Sequence, residues 1–189
     1  MFTSLFLKML NREASSPKSK PKEIIDSLQI REGYAIADIG SGGGYFTLEF
    51  ARKLGRTGKV YAVDIQLKNL NFIRRQSERE GLDNIDFVLA KRDGVDLPEA
   101  SLDLVFVRNT FHHLPEPVKY FHDLKRFLKT GGKVAIIEHK PKGGLSFVAI
   151  FKHHTAIAAI VGEMEEAGYF PVQSFDFLSE QTFNLFGVR

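Results

Sequence analysis

The chain of 189 residues, 43% hydrophobic and 26% charged, has the composition of one soluble globular domain able to bury a large core. A net charge of +3 falls short of a nucleic-acid footprint, and the lack of Cys excludes disulfides, thiolate metal sites and a cysteine nucleophile. No apolar run reaches the ~18–20 residues that span a bilayer, and the short N-terminal one carries Lys8 without a small-residue cleavage site, so a cytoplasmic protein is expected.

Phe2, Leu5, Phe6, Met9 and Leu10 fall at near-helical spacing and predict a short amphipathic helix over residues 2–12. Ser15–Lys20 reads as a loop, and the Lys18, Lys20, Lys22 cluster, spaced by Ser and Pro, as a solvated linker rather than a basic arm. A second helix starts near Pro21 and buries Ile24, Ile25 and Leu28. From there strands and helices alternate. Tyr34–Ile39 is a compact apolar strand, Tyr45–Leu54 a helix, and Lys59–Val63 a strand closed by Asp64. Gln66–Glu80 is a helix stopped at Gly81, Ile85–Leu89 a third strand, Leu102–Val107 a fourth, and Val118–Leu128 the helix after it. Gly131 and Gly132 turn the chain into a fifth strand, Lys133–Glu138. Helices of ten or more residues between strands imply right-handed crossovers and a parallel sheet covered on both faces. After a helix around Thr155–Ala167, two strand-like runs, Val172–Phe177 and Thr182–Val188, are joined too tightly for a parallel crossover, so the last strand should run antiparallel. The expected fold is a Rossmann-like three-layer αβα sandwich on a mostly parallel seven-stranded sheet. It forms a single domain, with residues 1–30 as an N-terminal helical cap and 31–189 as the core. The seventeen Phe are read as packing.

Asp38-Ile-Gly-Ser-Gly-Gly-Gly44 joins the first strand to a helix. Four glycines in five residues exceed what a turn needs and let a ligand approach the backbone closely. The dinucleotide pattern Gly-x-Gly-x-x-Gly fails, because Tyr45 stands at its third glycine, and no Gly-Lys-Ser/Thr run exists. Asp38, just ahead of the glycines, opposes a pyrophosphate and suits a cation. S-adenosylmethionine, with a sulfonium and an ammonium, meets that requirement. Asp64 can accept from both ribose hydroxyls, cap the following helix, or do both.

The segments Ala37-Asp-Ile-Gly-Ser-Gly-Gly-Gly-Tyr-Phe46, Tyr61-Ala-Val-Asp-Ile65, Asp93-Gly-Val-Asp-Leu-Pro98, Ser101-Leu-Asp-Leu-Val105 and Phe111-His-His-Leu114 occur in one order between Tyr34 and Glu138. In that order and spacing the chain resembles the class I S-adenosylmethionine-dependent methyltransferases, nearest to the ubiquinone/menaquinone-biosynthesis subgroup and its small-molecule relatives. The resemblance implies that Gly40, Ser41, Gly42 and Gly44 wrap the methionine portion of the cofactor, with Asp38 behind them. Asp64 would bind the ribose, Ile65 would pack on adenine, Asp93 would accept the adenine amino group, and Gly94 would donate its N–H to the ring. The product would be S-adenosylhomocysteine. Family members often have Gly-Asp-Ala where this chain has Arg92-Asp93-Gly94.

Arg108, Asn109, His112 and His113 follow strand four, and His139 and Lys140 follow strand five, where ligands of such sheets bind. Of these, Arg108 is assigned to the cofactor. Adjacent histidines without carboxylates at ligand spacing predict no metal. The missing Asn/Asp-Pro-Pro-aromatic motif and the missing Cys argue against DNA as substrate. Phe147, Phe151, His153 and His154, with Phe2 and Phe6, are candidates to line an acceptor pocket, and His153 and His154 are the candidate catalytic bases. The expected reaction is methyl transfer to a small or medium-sized acceptor, with no membrane span. The alternatives are a nicotinamide-dependent oxidoreductase and a catalytically silent S-adenosylmethionine-binding regulator.

Overall fold

Four of the five residues of β1 (Ala35–Ile39) are buried, as a strand covered on both faces requires. In the computed structural model, which describes residues 2–140 and 157–188, β1 belongs to a seven-stranded mixed sheet flanked by helices, the Rossmann-like α/β fold. The strand order is β3-β2-β1-β4-β5-β7-β6, using labels assigned below. Two compact units, residues 1–91 and 92–189, make up the chain.

The first unit runs α1 (Phe2–Ala14), a 3-10 turn (Pro17–Ser19), α2 (Pro21–Ser27), β1, α3 (Tyr45–Leu54), β2 (Lys59–Asp64), α4 (Leu67–Glu80) and β3 (Ile85–Leu89). β1 pairs parallel with β2, Ile39 opposite Val63, and β2 pairs parallel with β3, Asp64 opposite Leu89. The apolar periods land as expected: Phe46, Phe50, Ala51 and Leu54 of α3 are buried, as are Ile24, Ile25 and Leu28 at α2, and Leu70 and Ile73 of α4 are buried as well. Gly81 stops α4 in the left-handed region (φ 68°), where its N–H reaches Glu78 O and that of Leu82 reaches Ser77 O. This is a Schellman ending, which satisfies the last carbonyls of the helix.

The second unit contains β4 (Leu102–Arg108), a 3-10 turn (Phe111–His113), α5 (Pro117–Leu124), a further 3-10 turn (Lys125–Phe127), β5 (Leu128–His139), α6 (Ile157–Glu166), β6 (Tyr169–Phe175) and β7 (Gln181–Val188). β4 and β5 are parallel, whereas β7 runs antiparallel to both β5 and β6, as the short final link requires. The packing reading of the phenylalanines holds here for most of them, while Phe170 is exposed. Phe111 stacks on Phe121 at 5.5 Å, Phe106, Phe183 and Phe186 are buried, and the buried Tyr169 hydroxyl donates to Phe121 O at 2.9 Å.

Boundaries in the second unit differ from expectation. The helix expected to reach Leu128 ends at Leu124, because Leu128 already pairs with Leu102 of β4. Pairing resumes at Lys133 opposite Leu104, so the Gly131–Gly132 turn is an excursion within β5 rather than its start. The penultimate strand begins at Tyr169 instead of Val172 and includes Pro171. Being last in the sheet order, β6 pairs on one side only, which tolerates a residue without an N–H.

Candidate cofactor site

The turn from β1 into α3 is closed by its own chain. Gly40 and Ser41 donate their N–H groups to Val63 O at 2.8 and 3.0 Å, Gly42 donates to Asp64 Oδ2 at 3.0 Å, and Gly44 donates to Ser41 O at 2.8 Å. Gly40, Gly42 and Gly44 have φ of 74°, 53° and 83°, a region open to glycine. A Cβ at Gly44 would also lie 2.6 Å from Ile73 Cγ1, so this glycine lets α4 close on the loop. Four amides spent inside the loop cannot also converge on a phosphate, as an anion-binding turn demands. Two carboxylates, Asp38 just ahead of the turn and Asp64 bonded to it, favour a cation instead.

Asp38, at the carboxyl end of β1, is buried and accepts from Thr47 Oγ1 at 2.5 Å. Asp64, at the corresponding end of β2, is also buried and accepts three hydrogen bonds. Gln66 N binds its Oδ1 at 2.8 Å, while Gly42 N and Asn69 Nδ2 bind its Oδ2 at 3.0 and 3.1 Å. The Gln66 bond closes an Asx-type turn ahead of α4, whose N-cap is Gln66 and carries no side-chain cap bond, so Asp64 shapes the helix entry without being its N-cap. An ionised carboxylate has roughly four acceptor sites. With three taken, the room left matches one further donor rather than two. Ile65 beside it is exposed, as are Leu67 and Leu89, giving an apolar ledge next to the carboxylate.

Helix α1 presses on the same loop. Asn11 Nδ2 donates to Gly43 O at 2.8 Å, and Leu10 lies against Gly42. A Cβ at Gly43 would strike the Asn11 side chain and come within 2.6 Å of Leu7 O. Neither Asn11 nor Gly43 stood among the expected site residues. The available signal was the i, i+3, i+4 spacing of Leu7, Leu10 and Asn11, which puts them on one helix face.

In the second unit Asp93 is exposed on a turn, and Gly94 lines a cleft of about 220 Å³ with Val95, Tyr120, Leu124 and Phe127. Arg108, half-buried at the end of β4, donates to Gln181 Oε1 at 3.5 Å, and Gln181 Nε2 donates to Asn109 Oδ1 at 2.7 Å. Gln181, which the sequence did not single out, thus ties the end of β4 to the start of β7. Glu138 is fully buried. It lies 3.0 Å from His112 Nδ1 and accepts from the backbone N–H groups of His112 and His139 at 3.4 and 3.1 Å. The Lys140 ammonium holds Leu178 O and Ser179 O at 2.9 and 3.2 Å, so it secures the β6–β7 link. His153, His154, Phe147 and Phe151 lie outside the described residues. No group of three or more His, Asp or Glu among the described residues is placed to hold a metal.

The first unit fits S-adenosylmethionine on observations of its own. A buried carboxylate closes β1, a second with room for one more donor closes β2, an apolar ledge adjoins it, and the loop amides are unavailable to a phosphate.

Comparison with known proteins bears on the same region. A methyltransferase-domain family model matches residues 30–167. The ubiquinone/menaquinone biosynthesis C-methyltransferase UbiE of Hahella chejuensis is 31% identical over 115 residues, covering 60% of this chain and 46% of that protein. The chain therefore matches about half the length of such relatives. A SAM-dependent methyltransferase from Aquifex aeolicus superposes with a TM-score of 0.85 at 23% identity, covering 97% of each chain. A TehB-like SAM-dependent methyltransferase from Corynebacterium glutamicum gives 0.68 at 15%, covering 88% and 86%. At these identities the two structures establish the fold.

Proposed function

Given that the chain belongs to the methyltransferase-domain family, we propose that it transfers a methyl group from S-adenosylmethionine to a small or medium-sized acceptor, acting as a single catalytic domain. The observation that carries this reading is the loop at 40–44, whose amides close on Val63, Asp64 and Ser41 and leave an acid-lined turn suited to a sulfonium rather than a pyrophosphate. The same feature, with the family, sets the nicotinamide reading aside.

The cofactor supplies an activated methyl on a good leaving group, so the chain's work is to position and to exclude water. Asp38 places negative charge behind the loop. Asp64 takes one ribose hydroxyl while holding Gly42, which couples ligand binding to loop shape. Ile65 covers one face of the adenine. Asp93 and Gly94 are assigned to the cofactor on the sequence resemblance, and Arg108 on its place at the end of β4. Where the acceptor must lose a proton, His153 or His154 is assigned as the base on its place in the sequence after strand five beside Phe147 and Phe151 and on the imidazole pKa. The UbiE relatives act in quinone biosynthesis, which makes electron-rich aromatic rings the first acceptors to try. The test is to incubate the chain with methyl-labelled S-adenosylmethionine and a cell extract split at about 1 kDa, within the size of drug-like ligands and small cofactors. Label should enter the small-molecule fraction. Label confined to protein or nucleic acid would overturn the acceptor class.

A further inference from the structure

Helix α1 has two apolar stripes. Leu7 and Ala14 are buried and Leu10 partly so, on the face that holds the glycine loop. On the other side Leu5, Phe6 and Met9 are 69%, 53% and 56% exposed. At 3.6 residues per turn these three fall within an arc of about 100°. A surface helix ordinarily turns charged residues outward, and an apolar stripe left outside marks an interaction site.

Charge indicates what covers it. Residues 1–22 hold five basic side chains, Lys8, Arg12, Lys18, Lys20 and Lys22, against one carboxylate, Glu13, so this segment is more positive than the whole chain at +3. Lys22 is balanced by Asp26 at 2.5 Å, while Lys8, Arg12 and Lys18 are exposed. A second copy would bring the same positive charge against itself. An anionic bilayer offers an apolar phase and negative charge together.

We propose that the outer face of α1, with its flanking Lys and Arg, seats the chain reversibly on an anionic lipid surface. Leu5, Phe6 and Met9 enter the boundary between headgroups and acyl chains, and Lys8 and Arg12 meet lipid phosphates. No helix of the described residues is long and apolar enough to cross a membrane, so the contact is peripheral. Because the inner face of α1 is fixed to Gly43 through Asn11, the seated chain carries its glycine loop within about one helix diameter, roughly 10 Å, of the lipid. If the proposed methyl transfer holds, acceptors dissolved in the membrane come within reach. The lipid contact itself stands without that reading.

Flotation of the full chain with vesicles tests it. The chain should float with phosphatidylcholine vesicles containing phosphatidylglycerol, remain below with phosphatidylcholine alone, and be released at about 0.5 M NaCl, where surface charge is screened within a few ångströms. A Leu5→Ser/Met9→Ser variant with unchanged circular dichroism and unchanged S-adenosylhomocysteine affinity should lose at least ~10-fold in partitioning. Lys8→Glu/Arg12→Glu should lose the preference for anionic lipid. Failure to float with either vesicle would overturn the proposal, as would equal flotation of the Leu5→Ser/Met9→Ser variant. So would a dimer in sedimentation velocity that the variant abolishes without any lipid binding. Titration with S-adenosylhomocysteine alone tests the methyltransferase reading separately.

Discussion

Replacing Asp64 with Ala separates its two roles. On the ligand side the change removes the one charge-assisted bond to a ribose hydroxyl proposed for this carboxylate, worth about 1.5–3 kcal/mol, or roughly 10- to 150-fold in Kd. On the folding side it removes the acceptor of Gln66 N, Gly42 N and Asn69 Nδ2. Loss of the helix-entry bond costs ~1 kcal/mol, and the two other donors, left in a site that is only 7% exposed, cost about 1–3 kcal/mol together. For a chain of this size the sum lowers Tm by roughly 5–15 °C. Asn69→Ala is the control. It removes one internal donor and leaves the carboxylate, so stability should fall by ~1 kcal/mol while affinity changes by less than about threefold. Calorimetric titration with S-adenosylhomocysteine, paired with thermal unfolding, reads both effects. A folded Asp64→Ala variant that binds as tightly as the parent would show a residue that shapes the loop and helix entry and nothing more. Equal loss of affinity in Asn69→Ala would show that loop shape, not ribose contact, carries the effect.

Gly44→Ala places a Cβ against Ile73 at a φ of 83°, and should destabilise by about 2–4 kcal/mol in urea unfolding. Asn11→Ala frees the Gly43 carbonyl from α1, and should cost ~1 kcal/mol of stability and lower S-adenosylhomocysteine affinity severalfold in the same titration. Glu138→Ala removes a fully buried carboxylate and leaves the part-buried His112 and His139 donors without it; a loss of about 2–4 kcal/mol is expected in chemical denaturation. Burial, and then the neighbouring Glu166, raises the Glu163 carboxyl above its ordinary value, so its ionised form disfavours the fold and stability is lost as pH rises through that pKa. Glu163→Gln should therefore raise Tm at pH 7 and narrow the gap to the parent as pH falls below the carboxylate range.

Local signals recovered what depends on local physics. The apolar run at 34–39, the glycines after it and the 3.6-residue period of 45–54 placed β1, the loop and α3 within a residue, and Gly81 closed α4 where a left-handed residue is needed. What escaped depends on partners distant in sequence. Leu128 is helical by pattern and becomes strand because Leu102 is beside it; Pro171, outside the expected Val172–Phe177 run, belongs to β6 and is tolerated because β6 is an edge. Asn11 and Gln181 carry no motif and act through Gly43, Arg108 and Asn109. Asp64 stood out in the sequence, but its three internal donors did not: it shapes the turn into α4 without capping the helix, and the acceptor sites left over match one further donor, not the expected two. Lys140, set beside the candidate pocket residues by its place after strand five, is held by Leu178 and Ser179 instead.

The most direct measurement is isothermal titration of the full chain with S-adenosylhomocysteine and, separately, with NAD. A loop whose amides are closed on its own chain and whose strand ends carry Asp38 and Asp64 should give one saturable site for S-adenosylhomocysteine and no heat with NAD. Binding of NAD with none of S-adenosylhomocysteine would contradict the assignment of this site to a sulfonium cofactor.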